Sequence, residues 1–308
     1  MTAVTVGVNG SPESFAAVRW AAREAVVREL PLRVIHVQDW PAHPEHIEHI
    51  AGRPLAPEPL PPPGRSREAE HVLREAVRIA ELHQPGVRVR TDDMAGEGLA
   101  AQVLLTEAGS SGADLLVLGS RGLDSLTGFL IGSTSLPVAA ASECPVVLVR
   151  GHGHGDTDAG DNGSATGKLI LGIGLKRSTG NDELLSFGCA EAARRNSRLQ
   201  ILHAWSLPAM YTYAETADPG IGDELAGHIS QTLNRTVEPW RERFPDVSIE
   251  AKAVVGAPGA ELVYASPGAD LLIVGRRTRT LPVGPRLGHV AHAAIHHATS
   301  PVAVVPHA

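Results

Sequence analysis

The residues best suited to chemistry lie in a glycine-rich segment that follows a short apolar run, Leu115 to Leu118. Its candidate ligand positions are spaced as Gly119-x2-Gly122-x9-Gly132-Ser133-Thr134. An apolar run that ends in glycine predicts a buried parallel strand, and the Ser-Thr pair stands where the next helix would begin. Glycines let the backbone approach an anion, and helix N-terminal N–H groups favour negative charge. The segment therefore predicts a phosphate-binding loop.

The spacing differs from the two commonest nucleotide motifs. There is no Gly-Lys-Ser/Thr of a P-loop, and no G-x-G-x-x-G follows the first predicted strand. A glycine-rich crossover loop without a ligand is the alternative interpretation.

A second candidate loop, Asn9-Gly10-Ser11, follows the Val-rich first strand, which we predict from Ala3 to Val8. Ser11 can cap a helix, and Pro12 suits the first helical position. Alone, this segment predicts a simple turn and cap. Because ligands of open α/β sheets bind at the carboxyl ends of strands, we expect the turn to lie beside the glycine loop.

The elements that must position both loops alternate along the chain. Strands are predicted at 3–8, 32–37, 87–90, 114–119 and 145–149, and helices at 12–26, 65–82, 98–108 and after Thr134. This alternation predicts a parallel sheet with helices on both faces. A proline-rich segment at 41–64, densest at 54–63, is too long for a plain connection.

The whole pattern then repeats. Residues 151–167 contain no apolar side chain larger than alanine and predict a flexible linker. Beyond it, Gly268 to Gly275 matches Gly112 to Gly119, and Ser300-Pro301 matches Cys144-Pro145. We predict two tandem domains, 1–150 and 168–308, joined by the linker at 151–167.

Composition narrows the classes of function. With 308 residues and a net charge of −7, the chain lacks the basic excess that general nucleic-acid binding needs. No apolar run is long enough to cross a membrane, and the chain enters a strand pattern without a signal peptide. Two cysteines provide neither a disulfide framework nor zinc spacing, so we expect a cytoplasmic protein.

Taken together, the glycine spacing, the turn after strand one and the repeat resemble the ATP-binding universal stress proteins. The resemblance covers nearly the whole chain. It implies a Rossmann-like, HUP-like fold of the adenine nucleotide α-hydrolase type, with an open five-stranded parallel sheet in each of the two tandem domains. It also implies a regulatory role in stress response.

The resemblance also implies a site for ATP, with or without Mg²⁺, in the first domain. Its residues would be Val8, Asn9, Gly10 and Ser11 in the first loop, Val37 against the adenine, and Gly119, Gly122, Gly132, Ser133 and Thr134 around ribose and phosphates. The family pattern has Asp where this chain has Asn9. An amide still accepts a hydrogen bond but carries no charge, so we expect weaker or altered binding.

The second domain departs from the pattern. Gly174 replaces the Asp, Thr278 replaces the second glycine, and His289 replaces the Ser/Thr after the third. We predict an intact fold with a degenerate nucleotide motif. The arginines nearby, Arg276, Arg277, Arg279 and Arg286, with Lys176 and Arg177, form either a solvated basic patch or a second anion site.

The histidines do not predict a metal site. His289, His292 and His296 share a helical face, but no cysteine or carboxylate joins them at matching spacing. His43, His46 and His49 in the proline-rich segment give no stronger pattern.

We predict no catalytic residues, because no nucleophile, base and orienting acid occur at a recognisable spacing. A regulatory nucleotide-binding protein is favoured, with at most weak ATPase activity. A slow ATP hydrolase of the same superfamily and a nucleotide-free interaction scaffold are the alternatives. The protein partner is not identified by any residue. Apolar last strands of the two domains, as in the family, imply an intramolecular pseudo-dimer, and a homodimer is open.

Overall fold

The structure is a computed structural model that describes residues 2–39, 67–96, 100–120, 132–151, 167–175, 181–206, 221–278 and 287–308. By their contacts, the residues fall into two units, Met1–Cys144 and Pro145–Ala308. The proline-rich segment at 41–64 and residues 152–166 of the predicted linker lie outside the described residues.

The first unit alternates strands and helices, as its sequence predicts. Its elements are β1 (Val4–Val8), α1 (Pro12–Val27), β2 (Leu32–Asp39), α2 (Arg67–His83), β3 (Val89–Gly96), α3 (Ala100–Ser111), β4 (Leu115–Ser120) and α4 (Ser135–Ala141).

All strand pairs of the first unit are parallel, in the order β3-β2-β1-β4. β1 is buried along its whole length, and Leu115 to Leu118 of β4 are at most 4% exposed. Helices cover both faces of these strands, so every side chain is removed from water. Burial of apolar surface stabilises the fold by about 25 cal/mol per Å², which explains the unbroken Val/Leu composition. The carboxyl ends of β1 and β4 therefore lie side by side.

β3 extends beyond its predicted bounds. The sequence predicted a strand at 87–90, whereas the structure continues it to Gly96. Its eight residues pair with all of β2, from Leu32 opposite Val89 to Asp39 opposite Gly96. Pairing with β2 over its full length holds Asp92 and Asp93 in the sheet, although aspartate is disfavoured in strands.

The second unit repeats the order with its own elements. These are β5 (Val146–Arg150), β6 (Lys168–Gly172), α5 (Asn181–Arg195), β7 (Arg198–Trp205), α6 (Ile221–Arg243), β8 (Ile249–Val255), α7 (Pro258–Ala265), β9 (Leu271–Arg277), α8 (His289–His297) and β10 (Val302–His307). The parallel pairs run in the order β8-β7-β6-β9-β10.

β5 is antiparallel to its neighbour β10, with Val146 opposite Val304 and Leu148 opposite Val302. By its contacts β5 belongs to the second unit, so the division falls at residue 144 rather than at the predicted domain end, 150. The α/β class with a mostly parallel sheet is confirmed. Within the described part of the chain, no helix is long and apolar enough to span a membrane.

The repeat extends to the packing of single glycines. A Cβ on Gly7 of β1 would lie 2.7 Å from Leu118 and 3.2 Å from Leu104 of α3. A Cβ on Gly172, the matching position of β6, would lie 2.6 Å from Leu262 of α7. In both units, glycine lets a helix approach the first strand closely.

A buried glutamate is repeated as well. Glu24 of α1 is 2% exposed and accepts a hydrogen bond from Arg28 at 2.6 Å, and Arg28 also pairs with Asp114. In α5, Glu191 is fully buried and pairs with Arg194 at 2.7 Å and Arg195 at 3.2 Å. Asp114 thus ties the end of α1 to the start of β4, far along the strand from the predicted site.

Candidate functional site

The turn after β1 is built by its own side chains. Gly10 has φ +82°, a conformation that glycine adopts without strain. The Oδ1 atom of Asn9 accepts a hydrogen bond from the Ser11 N–H at 3.1 Å, and the Ser11 hydroxyl accepts one from the Ser14 N–H at 3.2 Å. The turn therefore caps α1, as predicted, and leaves the Asn9 side chain exposed at the strand end.

Gly119 brings the end of β4 against this turn. A Cβ at this position would lie 2.6 Å from the carbonyl carbon and oxygen of Glu13 and 2.7 Å from the Ser14 nitrogen. These are backbone atoms of the first turn of α1, which cannot move aside as a side-chain end can. Glycine is required here, and the two predicted loops meet at the carboxyl ends of β1 and β4.

The far end of the glycine loop returns to the same place. The hydroxyl of Ser135, the first residue of α4, donates to the Gly119 carbonyl at 2.8 Å. Its backbone N–H donates to the Gly132 carbonyl at 3.2 Å. Gly119 and Gly132, thirteen positions apart in sequence, are thereby linked through one serine. Ser135 was not among the predicted site residues, although this serine ends the run Gly-Ser-Thr-Ser.

The hydroxyl-bearing residues of this end remain available to a ligand. Ser133 is exposed, and Thr134 precedes α4 without a side-chain capping hydrogen bond. A Cβ on Gly132 would have Ser135 Oγ as its nearest neighbour, at 3.6 Å, so the backbone here is open on its outer side. The donors that anion binding requires are therefore present and accessible. Gly122, with Arg121 and Asp124, lies outside the described residues.

The third part of the predicted site is the end of β2. Val8 is 5% exposed, and Val37 is half-buried and opposite Met94 of β3. Next to them, His36 Nδ1 lies 3.1 Å from a carboxylate oxygen of Asp93, and both side chains are largely buried. Register aligns Val8, His36 and Asp93 across three neighbouring strands. The sequence analysis missed this pair, because it ended the third strand before Asp93.

The matching place in the second unit is arranged differently. Gly174 is exposed, and its carbonyl accepts a hydrogen bond from the Asn181 side chain at 2.9 Å. Thr278 donates both its N–H, at 2.7 Å, and its hydroxyl, at 2.9 Å, to the His307 carbonyl. The residue in place of the second glycine is therefore bound to β10.

Of the predicted basic cluster, the structure describes two members. Arg276 is 7% exposed, whereas Arg277 is exposed. Arg279, Arg286, Lys176 and Arg177 lie outside the described residues. Because Arg276 is buried, it does not belong to a solvated patch. Of the two described members, Arg277 is the one whose guanidinium is exposed to solvent.

The histidines of α8 lie together but not as a metal site. The rings of His292 and His296 stack with centroids 4.1 Å apart, and His297 lies 6.1 Å from His296. Within the described ranges, no three His, Cys, Asp or Glu side chains are arranged to hold a metal ion.

Both cysteines are free thiols. Burial raises the pKa of Cys144, and it raises that of Cys189 to about 11. A thiol with a raised pKa is a poor nucleophile at neutral pH, so neither residue has the environment of a reactive cysteine.

Comparison with known proteins agrees with this geometry. The sequence model named "Universal stress protein family" matches residues 1–150 and 169–306. A universal stress protein of Mycolicibacterium smegmatis is 30% identical over 98% of this chain and 96% of its own length. The chain belongs to the universal stress protein family.

Solved structures support the fold. A universal stress protein from Archaeoglobus fulgidus covers 99% of this chain and 98% of its own, with a TM-score of 0.65 and 17% identity. A family member from Arabidopsis thaliana with AMP bound matches 52% of this chain at 21% identity and a TM-score of 0.34.

Proposed function

We propose that this protein is a regulatory, ATP-binding universal stress protein that holds its nucleotide mainly in the first unit. The observation that carries the proposal is the Ser135–Gly119 hydrogen bond, which closes both ends of the glycine loop beside the Asn9–Ser11 turn. Backbone N–H groups, an exposed amide and free hydroxyls converge where the parallel strands β1 and β4 end. This is where open α/β sheets bind nucleotides.

The residues present fit such a ligand. Gly119 and Gly10 give the close backbone approach, Ser133 and Thr134 supply hydroxyl donors, and Val37 offers an apolar surface for a base. When bound, ATP supplies the triphosphate charge that the loop is built to hold. In this proposal, Asn9 presents a neutral amide, so the site binds the nucleotide without a carboxylate at that position. Mg²⁺ would then be held chiefly by the phosphates.

The second unit is proposed to have lost this activity. Thr278 is bound to the His307 carbonyl through both its donors, and the Asn181 side chain occupies the Gly174 carbonyl. At the near end of the matching loop, both donors of Thr278 are therefore already engaged. The exposed Arg277 is better suited to a solvated patch than to a second nucleotide site.

The test is the nucleotide content of the purified protein, measured by denaturing it and separating the supernatant by anion exchange. We expect roughly equimolar ATP. Gly132→Val should abolish it, because the branched side chain has room to fold but fills the space in front of the loop backbone. The matched control is Gly288→Val, at the equivalent position of the second unit, where a Cβ meets open space; it should keep the nucleotide.

The same experiment tests for turnover. We propose a binding protein rather than an enzyme, so ATP incubated with the protein should stay mostly ATP over hours. Rapid formation of ADP, or of AMP and pyrophosphate, would favour the hydrolase. Absence of any nucleotide, with no binding of added ATP, would leave the scaffold as the better account.

A further inference from the structure

A charged side chain closes the C-terminal end of α8. Arg150, the last residue of β5, donates through Nη2 to the carbonyl oxygens of Ile295 at 3.1 Å and His296 at 2.5 Å. The last carbonyls of a helix have no partner within it, and they carry the negative end of the helix dipole. Arg150 therefore serves as a cap supplied by a strand, and it fastens the end of β5 to α8.

Arg150 lies beyond the end of the β5–β10 ladder. The paired residues run from Val146 opposite Val304 to Leu148 opposite Val302, and Arg150 is two positions further on. Its hydrogen bonds to α8 therefore attach β5 at a point beyond the residues paired in this ladder. β5 ahead of it is apolar and buried, from 0% to 6% exposed over Val146 to Val149.

The acceptor residue of this cap is itself titratable and poorly solvated. The Nε2 atom of His296 is buried without a hydrogen-bond partner. Its ring stacks on His292, and His297 lies beside it. Burial first, and then the charges of His292, His297 and Arg150, lower the pKa of His296 below its usual 6.5. The neutral ring is the form that fits this position.

The described elements packed on α8 bring further titratable groups near this cluster. The other elements packed on α8 carry Glu261 and Tyr264 on α7, Arg276 and Arg277 on β9, and His307 on β10. None of these contributes to the shift of the His296 pKa. A cation at a helix C-terminus is ordinarily stabilised by the dipole, which would raise a histidine pKa. Here Arg150 already occupies the terminal carbonyls, and burial and like charges prevail.

We propose that Arg150 and the histidines His292, His296 and His297 form a proton-sensitive clamp that holds the end of β5 on α8 and releases it in acid. Protonation of His296 places a second cation near Arg150, and turning the ring outward would return its buried Nε2 atom to water. The His296 carbonyl then moves from the guanidinium, and the end of β5 loses its attachment. This role is separate from nucleotide binding and does not depend on it.

The pH window follows from the direction of the shift. The pKa of His296 is lower in the folded state than in the unfolded state, so the folded state binds fewer protons. The stability of the folded state therefore decreases as the pH is lowered. The loss begins as the pH falls below about 6.5, the unfolded value, and is complete below the lowered folded pKa. The clamp is closed at neutral pH and above.

Hydrogen exchange of the whole chain, followed by mass spectrometry, tests the clamp. Protection of peptides covering β5 and the end of α8 is compared at about pH 7.5 and about pH 5.5, after correction for the intrinsic exchange rate. We expect wild-type protection to fall in acid, because the lowered pKa of His296 makes its protonation destabilise the folded state. His296→Gln should keep the neutral-pH protection and lose most of the acid effect. Arg150→Met should lose protection at both pH values.

The control is His228→Gln, which removes an exposed histidine of α6 in the same unit and should leave the acid effect unchanged. If His296→Gln does not fold, the exposed His292→Gln should fold and reduce the acid effect, because it removes one of the charges that act on His296. Equal wild-type protection at both pH values overturns the clamp. So does an acid effect that persists undiminished in the folded histidine variants.

Discussion

At the scale of single residues, close contacts separate positions that must be glycine from positions that need not be. Gly119 faces the Glu13 carbonyl and the Ser14 nitrogen at 2.6–2.7 Å, whereas Gly132 has its nearest neighbour at 3.6 Å. Both belong to one motif, yet the first is fixed by the packing of β4 on α1. The second leaves room in front of the backbone, which is consistent with a role in ligand approach.

Gly119→Ala should therefore destabilise the first unit. A methyl group against immobile backbone forces a shift of β4 or α1, and such overpacking costs about 1–3 kcal/mol. The measurement is the free energy of unfolding in urea. Gly109→Ala provides the control, because this position in α3 has open space and helical backbone, and it should stabilise by about 0.5–1 kcal/mol. If Gly119→Ala left the free energy of unfolding unchanged, the contact of Gly119 with α1 would be looser than the distances indicate.

At the scale of elements, buried ion pairs fasten helices to the sheet. Glu24 and Arg28 are 2% and 4% exposed, and Asp114 at the start of β4 shares the guanidinium. Arg33 of β2 similarly bonds Asp92 of β3 at 2.5 Å and Glu107 of α3 at 2.8 Å. These contacts fix the positions of the helices at the end of the sheet away from the site. The loops at the carboxyl ends are therefore connected to helices whose positions are fixed.

Arg28→Met should cost about 3–5 kcal/mol, because it removes the guanidinium that pairs with the buried Glu24 carboxylate. The double variant Glu24→Gln/Arg28→Met should recover much of that loss, since no charge is then left buried. A double-mutant cycle of unfolding free energies measures the difference. Additive losses in the cycle would show that Glu24 and Arg28 stabilise α1 independently.

At the scale of the whole molecule, the end of the first family segment and the boundary between the two units do not coincide. Residues 1–150 match the family, yet β5 pairs with β10 and is counted with Pro145–Ala308. The antiparallel pair therefore joins two apolar strands within the second unit. Because β5 and β10 pair with each other, these two strands offer less unpaired backbone to another chain.

We therefore expect the protein to be a monomer in dilute solution at neutral pH. Multi-angle light scattering at several concentrations gives the mass, to be compared with 32.3 kDa for one chain. A stable species of twice that mass would contradict this expectation and support a homodimer. It would leave the intramolecular pairing of β5 with β10 untouched, since that lies within one chain.

Much of the fold was predictable because local chemistry and packing agree. Unbroken apolar runs such as Leu115 to Leu118 predict buried parallel strands, and Ser11 with Pro12 predicts the start of α1. The structure bears out both. The end of β3 was not predictable, because Asp92 and Asp93 are held in the sheet by a neighbouring strand rather than by their own preferences.

The candidate site also has parts that were predictable from the sequence and parts that were not. The residue types and spacing of Asn9–Ser11 and Gly119–Thr134 were sufficient to predict two loops and their meeting place. The roles of Ser135, of the His36–Asp93 pair and of Arg150 depend on contacts between residues distant in sequence. No local pattern encodes such contacts.

By itself, the sequence determined the repeat, the α/β class and the family, because periodicity, glycine spacing and apolar runs are local properties of the chain. Only the tertiary structure decided that Gly119 abuts a helix, that Ser135 closes the loop, and that β5 pairs with β10. Each of these is a contact between segments far apart in sequence. The free energy of each depends on atoms that come within bonding distance only after the chain has folded.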